Sequence, residues 1–149
     1  MQKVVKHRLD VWKEEPLYWQ HMAAIENRVY ASSIPRSLIE LVKIRASQIN
    51  KCAYCIDYHT GEALQFGESA RRIFALSAWK ESPLFTEVER IVLKMTEEVT
   101  NISQDGLSDD TYEKVKAHFT TSEIGDLIIC ISHINFLNRV GISTRTAAY

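Results

Sequence analysis

Glu40-Leu41-Val42-Lys43-Ile44-Arg45-Ala46-Ser47-Gln48-Ile49-Asn50-Lys51-Cys52-Ala53-Tyr54-Cys55-Ile56-Asp57-Tyr58-His59 is the stretch that decides the fold. Its first half continues a helix that begins near Pro35 and reaches about Asn50, with Leu38, Leu41, Val42 and Ile49 on one face. Arg36, Glu40, Lys43 and Ser47 make the opposite, polar stripe. Cys52 and Cys55 then stand at the head of a second helix, from about Ala53 to Phe66, ending near Gly67. Two helices joined with almost nothing between them, and no apolar–polar alternation anywhere, predict an all-α protein.

The same stretch carries the chemistry. Cys52 and Cys55 are spaced C-x-x-C, His59 follows Cys55 by four residues, and Glu40 precedes Cys52 by twelve. A thiolate, not a thiol, attacks a peroxide or a disulfide, and an ordinary cysteine with a pKa of roughly 8.5 is mostly protonated at neutral pH. Unsatisfied N–H groups in the first turn of a helix favour negative charge there, and Lys51 adds a positive charge. Cys55 and His59, at i and i+4, share a helix face. If Cys55 is oxidised to a sulfenic acid, Cys52 is close enough to condense with it as a disulfide.

Other readings of these residues stand beside that one. The pair can be an incidental surface dithiol, and His59 a partly exposed helix residue. Cys52, Cys55, His59 and Glu40 supply four ligands for a zinc ion, although closed zinc sites usually draw ligand pairs from separated segments. Glu40 fits a solvated face where it pairs with Arg36 at i, i−4. It joins a proton relay only if the cysteine helix folds back over the polar stripe.

Working outward, Tyr18, Met22, Ile25 and Val29 mark an amphipathic helix from Pro16 to about Tyr30. Ser32-Ser33-Ile34-Pro35 separates it from the next. A fourth, shorter helix is expected from Glu68 to about Ala78. Thr86-Glu87-Val88-Glu89 is a capping box, followed by a core stripe of Val88, Ile91, Val92, Met95 and Val99. Asn101 to Gly106 reads as a loop and Ser108 as the cap of a helix to about Phe119. Thr120 and Glu123 form a second capping box. Ile124, Leu127, Ile128, Ile131, Ile134 and Leu137 line one face of the last helix, with Ile129, Cys130 and Phe136 apolar on the others. A helix apolar nearly all round is buried in the domain or between subunits, and Gly141 is expected to end it.

The chain of 149 residues suits one domain, spanning 1–149, built as a bundle of about six or seven helices. A formal net charge of −1 provides no basic field for nucleic acid. Three cysteines are too few for a secreted disulfide framework. The first residues lack the apolar core of a signal peptide, and no apolar run approaches a membrane span, so a cytoplasmic protein is expected. The five glycines form no phosphate-cradling or dinucleotide pattern, and no cofactor is expected. Cys130 reads as a small buried hydrophobe, and Trp79 and Tyr54 as packing residues or pocket walls. His7, His21, His118 and His133 show no partner spacing.

The pattern Glu40, Cys52, Cys55, His59 resembles the alkylhydroperoxidase D-like branch of the carboxymuconolactone decarboxylase superfamily. The words Leu41 to Asn50, Ala75 to Thr86 and Ile134 to Arg139 are similar to that family too, so the likeness covers roughly residues 10 to 140. It implies an all-helical fold, assembled as homo-trimers or homo-hexamers, and a thiol-dependent peroxidase. In such an enzyme Cys55 meets the hydroperoxide, Cys52 resolves it, and His59 with Glu40 relays the proton. An external dithiol, lipoyl-type or thioredoxin-type, restores the pair. Tyr54 stands where some members carry a further histidine between the cysteines. Two other functions fit the same resemblance: proton transfer in a lactone decarboxylase, and a non-catalytic redox sensor that uses the dithiol as a switch.

Overall fold

A computed structural model describes residues 6–147, and every regular element among them is helical. The order is α1 (Val11–Glu14), α2 (Pro16–Tyr30), α3 (Arg36–Asn50), α4 (Ala53–Gln65), α5 (Ala70–Ala75), a 3₁₀ turn (Leu76–Ala78), α6 (Glu87–Thr100), α7 (Asp109–Lys116) and α8 (Thr121–Thr144). There are thus eight α-helices among the described residues, one or two more than the sequence suggested. One addition is α1, a single turn held by the Asp10 carboxylate accepting from the Lys13 N–H.

Local chemistry explains most boundaries. Pro16 opens α2, where its missing N–H costs nothing. Both capping boxes form: Thr86 with Glu89 at the head of α6, and Thr120 with Glu123 at the head of α8. Ser108 caps α7, which stops at Lys116, short of Phe119. The expected helix over residues 68–78 starts two residues later and tightens into the 3₁₀ turn after Ala75. The last helix runs through Gly141 to Thr144, because its stop is Arg145. That residue takes the left-handed conformation (φ 58°), and the N–H of Thr146 closes back on the Gly141 carbonyl.

The corner between α3 and α4 is built in the same way and decides the architecture. Lys51 is left-handed (φ 60°, ψ 39°). The Lys51 N–H donates to the Gln48 carbonyl and the Cys52 N–H to the Ser47 carbonyl, the pairing of a Schellman stop. With only Lys51 and Cys52 between the helices, α4 folds back along α3.

The polar stripe of α3 is therefore interior. Glu40 and Ser47 are 0% exposed and Lys43 1%, which rules out the solvated-face reading and leaves the one in which the cysteine helix folds back over the stripe. Three different helices meet the stripe with hydrogen bonds. Glu40 faces His59 of α4, Lys43 donates to Glu26 of α2, and Ser47 accepts from Asn138 of α8. The opposite, apolar face of α3 feeds the core, where Leu38, Ile39 and Val42 pack with Val92, Met95, Leu127 and Ile131. Leu41 and Ile44 pack with Leu76, Trp79 and Leu93 in a second cluster. Each such side chain contributes about 1.5–3 kcal/mol by leaving water.

α8 is 24 residues long and apolar enough to cross a membrane by length and composition, which corrects the expectation that no run approaches a span. Its packing explains the composition. Ile124, Leu127, Cys130, Ile131 and Ile134 are buried against the other helices, and Asn135 and Asn138 hydrogen-bond inside the bundle. The all-round burial expected from its sequence is not met, since Ile129 and Phe136 lie half-exposed on the far face.

Candidate functional site

Cys52 is the N-cap of α4 and Cys55 occupies its first turn. Their Cα atoms are 5.3 Å apart and the sulfurs are joined in a disulfide. Three elements fix the pair. Ala46 of α3 and Ile134 and Leu137 of α8 pack against it. Asn50, just before the corner, donates to the Asn135 and Asn138 side-chain oxygens at 2.8 and 2.9 Å, tying the corner to α8. Gly141 of α8 presents no side chain where a Cβ would sit 3.5 Å from Cys52 Sγ and 3.9 Å from Cys55 Sγ. The two sulfurs are not equally accessible: Cys52 is 1% exposed and Cys55 6%. Cys55, and not Cys52, opens on a cavity of about 360 Å³.

His59 stands one turn further along α4, lines the same cavity, and is buried. Its Nδ1 lies 2.9 Å from Glu40 Oε2. The other Glu40 oxygen accepts from Arg36 Nε at 2.7 Å, and Arg36 also reaches Glu62 at 2.8 Å. Burial works against charge on Glu40, but the His59 hydrogen bond and the nearby Lys43 ammonium outweigh it and hold the carboxyl below the usual carboxylate range. An ionised carboxylate only accepts. The hydrogen of the His59–Glu40 contact therefore sits on Nδ1, which leaves Nε2 as the other working atom of the ring. The structure thus brings all four sequence-derived residues, Glu40, Cys52, Cys55 and His59, into one locality.

Several residues at this site carried no signal in the sequence. Trp12 of α1 and Trp19 of α2, in contact with each other at 5.5 Å, line the cavity with Tyr54 and Tyr58, stacked at 6.3 Å on α4. Tyr54 is thus a cavity residue, whereas Trp79 is buried in the core with its indole N–H donating to Glu97. Glu26 of α2 also lines the cavity. Its spacing to the cysteines in sequence gave no hint, because the contact is made across helices. Tyr30 donates to Glu26 and receives from Lys43, and burial with the Glu40 and Glu26 carboxylates nearby pushes its phenol well above the ordinary tyrosine range.

Two titratable groups lie apart from the cavity wall. Cys130 is buried in α8 as its apolar surroundings suggested, and burial pushes its thiol up to about 12. His133 is buried as well, its Nε2 donating to the Met22 carbonyl at 2.9 Å while Nδ1 has no partner among the described residues. Burial, with the Lys43 charge, holds its pKa below the ordinary histidine value.

The chain is similar to known proteins along most of its length. Residues 15–98 match the model of the carboxymuconolactone decarboxylase family. The uncharacterized protein YdfG of Bacillus subtilis (strain 168) is 35% identical over 139 residues, covering 93% of this chain and 95% of that protein. The crystal structure of ATU0492 from Agrobacterium tumefaciens, a protein of unknown function proposed to be the antioxidant defence protein AhpD, superposes with a TM-score of 0.93. Its identity is 38%, over 97% of this chain and 99% of that one. An uncharacterized peroxidase-related protein from Ralstonia eutropha JMP134, described as an alkylhydroperoxidase AhpD core, shares the fold. Its TM-score is 0.82 at 14% identity, covering 93% of this chain and 74% of that one. With its helical bundle and its paired cysteines, the chain belongs to the AhpD-like branch of the carboxymuconolactone decarboxylase family.

Proposed function

We propose that this protein is a thiol-dependent peroxidase that reduces hydroperoxides. In the reduced enzyme the Cys55 thiol passes its proton to His59 Nε2, and Glu40 holds the ring in the tautomer that can accept it. The Cys55 thiolate attacks the outer peroxide oxygen and the O–O bond breaks. Cys55 is left as a sulfenic acid, and the departing alkoxide takes the proton from His59 and leaves as an alcohol. The Cys52 thiolate then attacks Cys55 Sγ. Hydroxide leaves as water with the proton Cys52 has given up, and the disulfide forms. An external dithiol, lipoyl- or thioredoxin-type, reduces the pair by exchange.

The observation that carries this reading is the opening of one sulfur, Cys55, on an apolar cavity beside a buried His59–Glu40 pair. The single-domain chain working as a cytoplasmic homo-oligomer is part of the proposal. A reducing compartment suits a cycling dithiol, and the half-exposed Ile129 and Phe136 of α8 suit a subunit contact.

The test is turnover of cumene hydroperoxide with a dithiol reductant. The wild-type chain cycles and Cys55→Ser is inactive, while without reductant Cys52→Ser consumes one equivalent of peroxide and stops at the Cys55 sulfenic acid. A second reading uses the His59–Glu40 pair for proton transfer on a lactone substrate, without sulfur chemistry. Decarboxylation that survives Cys55→Ser would establish it. A dithiol that oxidises once and does not cycle is a sensor.

A further inference from the structure

Glu26 lines the cavity but has no part in the proton relay. It enters the cavity wall from α2, on the same cavity as Cys55 and His59. Its Oε1 is fully engaged, accepting from Lys43 Nζ at 2.5 Å and from the Tyr30 hydroxyl at 3.2 Å. Its Oε2 has no hydrogen-bond partner among the described residues. Lys43 is buried, and its ammonium also meets the Tyr30 hydroxyl at 2.6 Å and lies over that ring. Burial opposes charge on Glu26, but this lysine outweighs it and keeps the carboxyl below the usual range. The side chain is thus a fixed, ionised acceptor in a wall that is otherwise largely apolar.

A hydroperoxide has one strong donor, its O–H, next to the bond that must break. In an apolar cavity that donor needs an acceptor, or its desolvation is uncompensated. Glu40 cannot serve, because it is sealed from the cavity and both its oxygens are taken. His59 is needed for the thiol proton.

Resting on the peroxidase reading, we propose that Glu26 is a substrate-orienting residue. Its Oε2 accepts the O–H of an organic hydroperoxide whose apolar part lies against Trp12, Trp19, Tyr54 and Tyr58, and so turns the outer oxygen toward Cys55 Sγ. Dialkyl peroxides, which lack that donor, are then poor substrates.

The test separates orientation from folding. Removing Glu26 alone strands a buried ammonium, so the variant is Glu26→Leu with Lys43→Met, and Glu26→Gln is the second. Gln keeps a carbonyl toward Lys43 and turns a donor toward the cavity. Cumyl alcohol, which carries a hydroxyl donor on the same apolar group, and cumene, which carries none, are titrated into the disulfide form and followed by tryptophan fluorescence. Each variant is expected to lose at least about tenfold of the wild-type preference for cumyl alcohol over cumene, the scale of a hydrogen bond to a charged acceptor. The kcat/KM for cumene hydroperoxide falls in step, while reduction of the disulfide by dithiothreitol is unchanged. Wild-type turnover with an unaltered preference in both variants overturns the assignment alone. A wild-type chain that shows the preference yet does not turn over the hydroperoxide overturns the peroxidase reading, and the assignment with it.

Discussion

Replacing Glu40 by glutamine removes one charge from the interior and leaves the shape almost unchanged. Arg36 fixes the outcome, because its Nε can only donate and so holds the new amide oxygen on its own side, at the present 2.7 Å contact. The amide N–H₂ then faces His59 Nδ1, which must turn from donor to acceptor. The ring switches tautomer, Nε2 becomes the protonated atom, and the group proposed to accept the Cys55 proton is lost. A wrong tautomer beside a nucleophile costs roughly 10²–10⁴ in rate. Stability falls less. Arg36 keeps its Glu62 contact and is a quarter exposed, so its share is discounted for solvent. The remaining loss is about 2 kcal/mol, roughly 4–8 °C in Tm for a chain of this size. Peroxidase kinetics with cumene hydroperoxide and a thermal melt measure the two effects on one sample. A folded Glu40→Gln protein whose kcat/KM stays within about threefold of wild type would refute the relay, because no general-base contribution is that small.

Three further outcomes follow from burial and contact. In the folded protein His133 resists the proton that its unfolded counterpart takes near 6.5, so its stability contribution is complete above that pH and is lost as pH falls below it. Glu26 and Glu40, held below 4.5, add a second loss at lower pH, as the pH drops through their folded values. Urea melts from pH 8 to about pH 2 should show both stages, and His133→Leu should remove the first. Gly141→Ala sets a methyl group in ordinary contact with both sulfurs and relieves a glycine inside α8, so Tm is expected to rise with up to about 1 kcal/mol of added stability. Gly141→Leu, with no room beside the sulfurs, should destabilise and slow the reaction of Cys55 with peroxide. After reduction, Ellman's reagent should titrate two thiols in the native protein and a third only in denaturant, since Cys130 is buried with its thiol at about 12.

Much of this architecture was legible because its signals are local. The capping boxes at Thr86 and Thr120, Pro16, and the C-x-x-C-x₃-H spacing are each read within one turn of helix. The α3 stripe stayed open between two readings for the complementary reason. A helical wheel for Arg36, Glu40, Lys43 and Ser47 shows polarity, and polarity on one helix cannot distinguish water from three neighbouring helices that supply hydrogen bonds. Arg145 hid the last stop, since a left-handed residue is anticipated at glycine and this is a long, charged side chain. Glu26 and the two N-terminal tryptophans reach the site only because α2 packs on α8 and α1 on α2, and no spacing in the chain foreshadows that.

The unequal burial of the two sulfurs has a kinetic corollary. α8 passes at Gly141 against both, and the more accessible of them looks into one recess. On the proposed peroxidase cycle, oxidant and reductant then use the same doorway, one after the other. For a cycling dithiol this demands a ping-pong rate law, with parallel double-reciprocal lines and each substrate inhibiting competitively against the other at high concentration.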